Sequence, residues 1–586
     1  MCIDTTSKTS IFVGANNSGK TSAMEALILF LGEKKNIITT DFTLSNWIYI
    51  NNIGEKWLKH SEVKPLLEDW VPFLPTFDLW LEIPDHEIHF VSMIIPTLDW
   101  EGGKLGIRFR FEPLDLEALF QDFKSSKTDS VKLVEEAKAE LELWPKTLKD
   151  FLEKDNRLNK YFKIVAYPLD PSQLNQSQNG IAKPQVLSFD IPPFDSKPLK
   201  GLIKVDIINA QRGFSDPGNS LPNLESEKRG LSHQFREYYS KHVDPSNKPE
   251  KADLDALKAK EDAQNIFSEK IKTGFQAAIS EIEGIGYPGF SDPKLTISCR
   301  VDAVDSIKHS SSVQFGVFKT SEVSDLRLPE AYNGLGYQNL ISMIFKLMRF
   351  RDDWMRVGKA KNPDIVENKS KFIEPLHLVL VEEPEAHLHA QVQQVFIRKA
   401  YGVLRNHENL GDKENFSTQL ILSTHSSHIA HEIDFSALRY FKREYISDTE
   451  IPTASVVSLS DTFGKGDATS RFVSRYLKTT HCDLFFADGA ILIEGAAERM
   501  LLPHFIKENY PRLRECYISI LEIGGGHAHR LRGLIEKLGI FTLIVTDLDS
   551  TMNGSSVPAD LGKSLKTNND TLRSWVPQKE LVVVML

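Results

Sequence analysis

A chain of 586 residues, 41% hydrophobic and 26% charged, is too long for one core, and about two to four globular domains are expected. Its formal net charge of −10 excludes wholesale wrapping by nucleic acid, although a local basic groove stays open. Four cysteines without a C-x-x-C pair (Cys2, Cys299, Cys482, Cys516) exclude a disulfide framework and a cysteine-based zinc site and point to a cytoplasmic setting, and the longest apolar runs, 26–31 and 581–586, fall far short of the ~20 residues that span a bilayer.

Residues 14–21 read G-A-N-N-S-G-K-T and fit the phosphate-loop pattern G-x-x-x-x-G-K-[ST] at every fixed position. A buried strand is expected over 10–13 and a helix over 22–29. Gly14 and Gly19 let the backbone curl so that its N–H groups converge on phosphate oxygens, and the helix N-terminus adds its positive end. Lys20 is set to reach the β- and γ-phosphates and the Thr21 hydroxyl to hold Mg²⁺. Gly14, Asn17, Gly19, Lys20 and Thr21 are therefore the candidate ATP contacts. Almost nothing precedes the strand, so its partners are expected from later segments or from residues ahead of this sequence.

Residues 33–112 read as mixed β structure, with strands over 77–83, 88–95 and 104–111 and a hairpin turn at 100–103. Arg108 and Arg110 share one strand face, read as solvated rather than as a phosphate contact. Residues 114–162 read as charged helices, 171–200 as a long loop and 202–208 as a strand. A second helical block covers 225–283. Its seam of Leu254, Leu257, Ile271, Phe275, Ala278 and Ile282 suits either a dimerisation arm or packing on its own domain. Residues 294–304 return to strand.

Asn333-Gly334-Leu335-Gly336-Tyr337-Gln338 opens the next helix. A Gly-rich turn at a helix N-terminus is an anion site. It lies far enough from the first loop in sequence to serve a second subunit's nucleotide, which makes Gly334, Gly336 and Gln338 candidate contacts. Residues 378–381 are a short apolar run, the mark of a buried parallel strand, ending in Glu382-Glu383-Pro384-Glu385. Acids at such a strand end sit where α/β folds bind ligands. Glu382 is assigned to the metal and Glu383 to the attacking water. Residues 421–426 repeat the design, ending in His425 as a γ-phosphate contact. His387 and His389 read as an exposed turn.

The last ~100 residues alternate strand and helix, the pattern of a small parallel α/β domain. One strand ends in Glu494-Gly495, with Glu498 one turn into the next helix. A second spans 517–523 and runs into Gly524-Gly525-Gly526. A third, 542–546, ends in Asp547-Leu548-Asp549, and a fourth is expected over 581–585. Asp547 and Asp549, two apart, can point the same way. Crowded carboxylates call for a cation, and Mg²⁺ or Mn²⁺ suits oxygen ligands. Glu494, Asp547 and Asp549 are the candidate ligands and Glu498 an assistant. His527 and His529 flank this crevice. Met500, Leu501 and Leu502 read as core.

The loop at 14–21, the acids Glu382 and Glu383, His425 and the turn at 334–338 resemble the head of ABC/SMC ATPases. The resemblance implies ATP-dependent head dimerisation, with the turn at 334–338 capping the partner's nucleotide. The C-terminal E-G…D-x-D skeleton resembles a Toprim domain. The two in this order resemble the OLD (overcoming lysogenisation defect) family, as do E-E-P-E-A-H-L-H, S-T-H-S and L-I-E-G-A-A-E-R-M-L-L-P. That resemblance implies an α/β fold: an ABC-type ATPase head with a helical insertion, followed by a small parallel-sheet Toprim domain. The expected divisions are 1–112 and 291–470 for the ATPase, 113–290 for the insertion and 484–586 for the Toprim domain, shortened at its C-terminus.

The implied activity is ATP-regulated, metal-dependent DNA cleavage in anti-phage defence, by a homodimer or higher oligomer. Some members of the family act beside a helicase-like partner, others beside a retron reverse transcriptase and its single-stranded DNA. Members also continue past the fourth Toprim strand to a catalytic lysine, for which Lys579 is the nearest candidate here. The rival reading is an ATPase scaffold that binds a partner protein or nucleic acid, with weak cleavage or none.

Overall fold

The structure, a computed structural model, describes the chain apart from residues 6–7, 33–35, 60–63, 96–99, 138–142, 179, 196, 210–233, 236–237, 246–250, 285–313, 317–326, 330–334, 358–372, 387, 411–415, 445–452, 460–467, 479–481, 525, 560–564 and 580–586. It divides into two compact units. One holds Met1–Ile207, Glu374–Pro384 and Asn415–Leu586, the other Ile208–Ile373 and Glu385–Glu414.

In the first unit the strand Thr9–Val13 is the third of six in one sheet. The order is Thr453–Ser458, Leu438–Glu444, Thr9–Val13, Ser417–Ser423, Leu376–Glu382, Ile203–Ile208. Its two neighbours run parallel to it, and both come from far downstream. Ile11, Phe12 and Val13 are fully buried. A strand covered on both faces needs apolar residues in succession rather than in alternation, and that is how the sequence reads. Phe12, Met24, Leu380, Ile421, Phe441 and Val456 form the core around it. The outer strand Thr453–Ser458 is antiparallel.

A second sheet is antiparallel: Thr76–Ile83, Gly103–Pro113 and Phe162–Leu169. The expected strand at 88–95 is instead a 3-10 helix, Asp85–Val91. Val91 and Ile94 are buried in the core beside this sheet. Burial at three-residue spacing has overridden their β preference. Gly103 therefore pairs with Ile83, not with the 88–95 segment.

The solvated face expected for Arg108 and Arg110 is also corrected, since both are buried. Arg108 donates two hydrogen bonds of 2.7 Å to the Asp78 carboxylate. Arg110 pairs with Glu112, lies over the Tyr167 ring, and Tyr167 donates to Glu112 at 2.6 Å. Buried charges persist when paired in this way. The helices Leu116–Ala137 and Leu148–Glu153 pack an aromatic core that includes Trp57, Trp70, Phe123 and Phe151.

The C-terminal sheet is parallel, in the order Ile518–Glu522, Gly489–Ile493, Phe541–Ile544. The helix Ala496–Asn509 between the first two strands in sequence has no buried residue. Met500 is 78% and Leu501 51% exposed, so the core reading of that helix is corrected. Its apolar residues are spread around the helix and interrupted by Pro503, so no single stripe faces the sheet.

The second unit contains the helices Leu254–Gly284, Leu335–Trp354 and Ala390–Arg405. The last two pack together, with Arg351 donating to the Val403 carbonyl at 3.2 Å. His242 anchors a short helical turn, Tyr239–Val243, to Asp353 at 2.8 Å. The strands expected over 294–304 and 581–585 lie outside the described residues. Among the described residues no helix is long and apolar enough to cross a membrane.

Candidate nucleotide and metal sites

Parallel strands bring like ends together, and here the register makes them level. Phe12 and Glu382 both pair with Ser423. The 14–19 loop, the Glu382-Glu383 pair and Thr424-His425 therefore leave one edge of the sheet side by side, where α/β sheets bind ligands. The loop turns through left-handed backbone at Asn17 (φ 59°) and Gly19 (φ 97°). At Gly14 (φ 150°) a side chain has no room: a Cβ atom would stand 2.5 Å from the Phe441 carbonyl oxygen.

Lys20 opens the helix Lys20–Leu31 and is 3% exposed. Its ammonium donates to Gly14 O at 2.8 Å and Ala15 O at 3.0 Å. A cavity of about 580 Å³ lies over the loop, lined by residues 16–22 with Glu383 and His425. Thr21 is exposed in it. Glu383 adopts φ 41° while its amide donates to Ser423 O at 2.9 Å. That turn brings its carboxylate to 3.7 Å from His425 Nε2. Burial, and then the positive charge of Lys20, hold the His425 imidazole below its ordinary value, so the neutral ring is favoured. Loop amides, a lysine and a neutral histidine around one cavity suit a nucleotide phosphate chain. Glu382 ends its strand half-buried and is not among the lining residues.

Of the second nucleotide-binding group, Gly336 and Gln338 lie in the first turn of Leu335–Trp354. Gly334 lies outside the described residues.

In the C-terminal sheet, Ile493 is level with Glu522 and Leu492 with Ile544. The chain after Phe541–Ile544 passes directly over Glu494. The Glu494 Oε2 accepts the Asp547 amide at 2.6 Å and the Thr546 hydroxyl at 3.3 Å. Glu498 turns back instead, accepting the Gly495 amide at 3.1 Å as a helix cap. Asp547 and Asp549 are exposed. The strand ends at Ile544 and Asp549 has φ 45°, so strand alternation does not govern where those two carboxylates point. Among the described residues no group of three or more His, Cys, Asp or Glu side chains stands close enough to hold a metal ion. Glu494 is brought to the backbone of Asp547, not into a finished carboxylate cluster. His529 Nδ1 donates to the Gly526 carbonyl at 3.1 Å.

Sequence reasoning missed Thr546, Asn569 and Thr571, which stitch this corner together. The signal available was T-N-N-D-T at 567–571, the composition of a helix N-cap.

Residues 2–430 match the family model described as AAA ATPase domain. The chain belongs to that family. Residues 485–549 match a second model, described as Overcoming lysogenization defect protein-like, TOPRIM domain. The OLD-family chain is thus an AAA-type ATPase joined to a Toprim nuclease domain, the α/β architecture expected from its motifs. Among relatives, Endonuclease GajA of Bacillus cereus (strain HuB5-5) is 26% identical over 567 residues, covering 92% of this chain and 70% of that one. A second Endonuclease GajA, from strain VD045, is 24% identical over 181 residues, 31% of this chain and 28% of its own. The OLD nuclease of Thermus scotoductus (strain ATCC 700910 / SA-01) is 29% identical over 230 residues, 39% and 37% of the two chains.

Proposed function

We propose that this OLD-family chain is an ATP-regulated, divalent-metal-dependent DNA endonuclease acting in anti-phage defence. The observation that carries the reading is the bond from the Asp547 amide to Glu494, which draws the two acidic strand ends of the Toprim sheet to one corner. Glu494, Asp547 and Asp549 would hold Mg²⁺ or Mn²⁺, and their all-oxygen donor set suits either ion. A bound cation there supplies Lewis acidity for phosphodiester hydrolysis. In the ATPase domain, Lys20 and the amides of residues 14–19 would bind the ATP phosphates, Thr21 would hold Mg²⁺ with Glu382, which does not line the cavity, reaching it through water, and Glu383 would orient the attacking water. Gly336 and Gln338, with Gly334, cap the nucleotide of a second copy.

Regulation has a physical support. The strand Leu438–Glu444 meets both domains: the Phe441 carbonyl packs on Gly14, and the Lys442 side chain packs on Gly539, where a Cβ would lie 2.5 Å from it. Gly539 (φ 65°) ends the helix Arg532–Leu538 just before the strand that leads to Asp547. Exposed Leu254, Ile266 and Phe267 on the helix Leu254–Gly284 support a dimerisation arm. The exposed Met500, Leu501 and Phe505 favour the second reading, a scaffold holding a partner such as a helicase-like protein or a retron reverse transcriptase with its DNA.

The test is cleavage of plasmid and single-stranded DNA with Mg²⁺ or Mn²⁺, with and without ATP. Asp547→Ala/Asp549→Ala is expected to abolish cutting and leave ATP binding intact. Undiminished cutting by that variant removes the Toprim acids from the reaction, and tight partner capture without nicking under any metal favours the scaffold.

A further inference from the structure

The Toprim acids lie on turns, and turns do not hold a geometry by themselves. Asp547 and Asp549 follow the last residue of their strand, so something else must fix the loop that carries them. Asn569 is 1% exposed and every polar atom of its carboxamide is used. Its Nδ2 donates to the Thr546 hydroxyl at 2.6 Å and to the Asp547 carbonyl at 2.9 Å. Its Oδ1 accepts the amides of Thr571 at 2.9 Å and Leu572 at 3.3 Å, capping the helix Asp570–Ser574.

The same carboxamide lies against the glycine turn. A Cβ on Gly526 would stand 2.7 Å from Asn569 Cγ, so only glycine lets the two segments meet. Thr571, fully buried, closes the link by donating to the Gly526 carbonyl at 2.8 Å. Asn569 therefore joins the acidic loop, the glycine turn after the second strand and the last described helix. On the far side of that loop stands Glu494, which accepts from the same Thr546 hydroxyl and from the Asp547 amide.

We infer that Asn569, bonded to Thr546 and to the Asp547 carbonyl, is a positioning residue that sets the Asp547 end of the acidic loop against Glu494, while the Asn568 amide holds the Asp549 carbonyl at 3.0 Å, and so tunes the metal affinity of the Toprim site. The inference rests on the reading of those acids as metal ligands. Groups that orient ligating side chains change metal affinity by about 10–100-fold when removed. The amide and hydroxyl are also well placed energetically, because a buried donor with two acceptors holds both in one arrangement.

The experiment is a Mn²⁺ titration of the full chain without nucleotide, read by electron paramagnetic resonance, on four proteins: wild type, Asn569→Ser, Thr546→Val and Asp547→Ala/Asp549→Ala. Serine keeps a helix-capping oxygen but cannot reach the loop. Valine keeps the shape of threonine without its hydroxyl, so it answers the question if the Asn569 variant folds poorly. Melting temperature and ATP binding are measured alongside. The expected result is Mn²⁺ affinity weakened about tenfold or more in both single variants, with ATP binding unchanged and the DNA KM held while kcat at fixed metal falls. Wild-type Mn²⁺ affinity in both single variants, with affinity lost in the double aspartate variant, overturns the role of Asn569 and leaves the Toprim site standing. Wild-type affinity in the double aspartate variant removes the metal site itself and the inference with it.

Discussion

Gly14→Ala tests whether the first loop works as built. The added Cβ would meet the Phe441 carbonyl oxygen at 2.5 Å, Ser18 Oγ at 2.9 Å and Phe441 Cβ at 3.2 Å. Ordinary contact begins at 3.4 Å, so the backbone has to yield by 3.4 − 2.5 = 0.9 Å. The Phe441 carbonyl cannot do so easily, because its strand is paired on both sides, Tyr440 with Val13 and Phe441 with Val456. The loop itself must move, and a non-glycine residue at φ 150° adds strain of about 1–3 kcal/mol. Taken with the displaced amides, the penalty on ATP binding is about 2–4 kcal/mol, or roughly 30- to 700-fold in affinity. A fluorescent ATP analogue titrated into the full chain reads it, with a thermal melt as control. Affinity within about threefold of wild type, with the fold intact, would refute the argument that this loop binds phosphate in the conformation described.

Two further predictions concern charge. Arg110→Met leaves the Glu112 carboxylate buried without its partner and is expected to cost about 3–5 kcal/mol; a lower first unfolding transition in urea checks it, and Arg110→Met/Glu112→Leu/Tyr167→Phe is expected to recover most of the loss. His425 has its proton affinity lowered in the fold, so its contribution to stability is present while the ring is neutral and is lost as pH falls below the ordinary value near 6.5. The acid limb of ATP turnover should therefore lie below that value, and His425→Gln, measured by a pH profile of phosphate release, should abolish the limb.

How much of this was legible beforehand depends on the range of the interaction involved. Phosphate-loop glycines, strand-end acids and apolar runs are local signals: each follows from backbone conformation or from burial on both faces of a strand. Those signals located the sheet edge bearing residues 14–21, Glu383 and His425, and the parallel C-terminal sheet. Alternation along a strand was misleading at Arg108 and Arg110, because whether a charged side chain on the second face meets water or a partner is decided by the strands that pair beside it. Here Asp78 and Tyr167 stand on the adjoining strands of the same sheet, and Glu112 on the arginines' own strand. Asn569 was illegible as a site residue for the same reason: its sequence says helix cap, and only the approach of Gly526 and Thr546 turns it into a junction.

The amino-acid sequence by itself determined that this chain carries a phosphate loop, strand-end carboxylates and an acidic Toprim skeleton, since those depend on residue type and short spacing. Tertiary structure alone decided which of them meet. It set the central strand between two segments more than 400 residues downstream, brought Glu494 to the amide of Asp547, and pressed one strand against both Gly14 and Gly539. Contacts between residues so distant in sequence are selected by the joint burial of the whole core, and no local pattern encodes that choice.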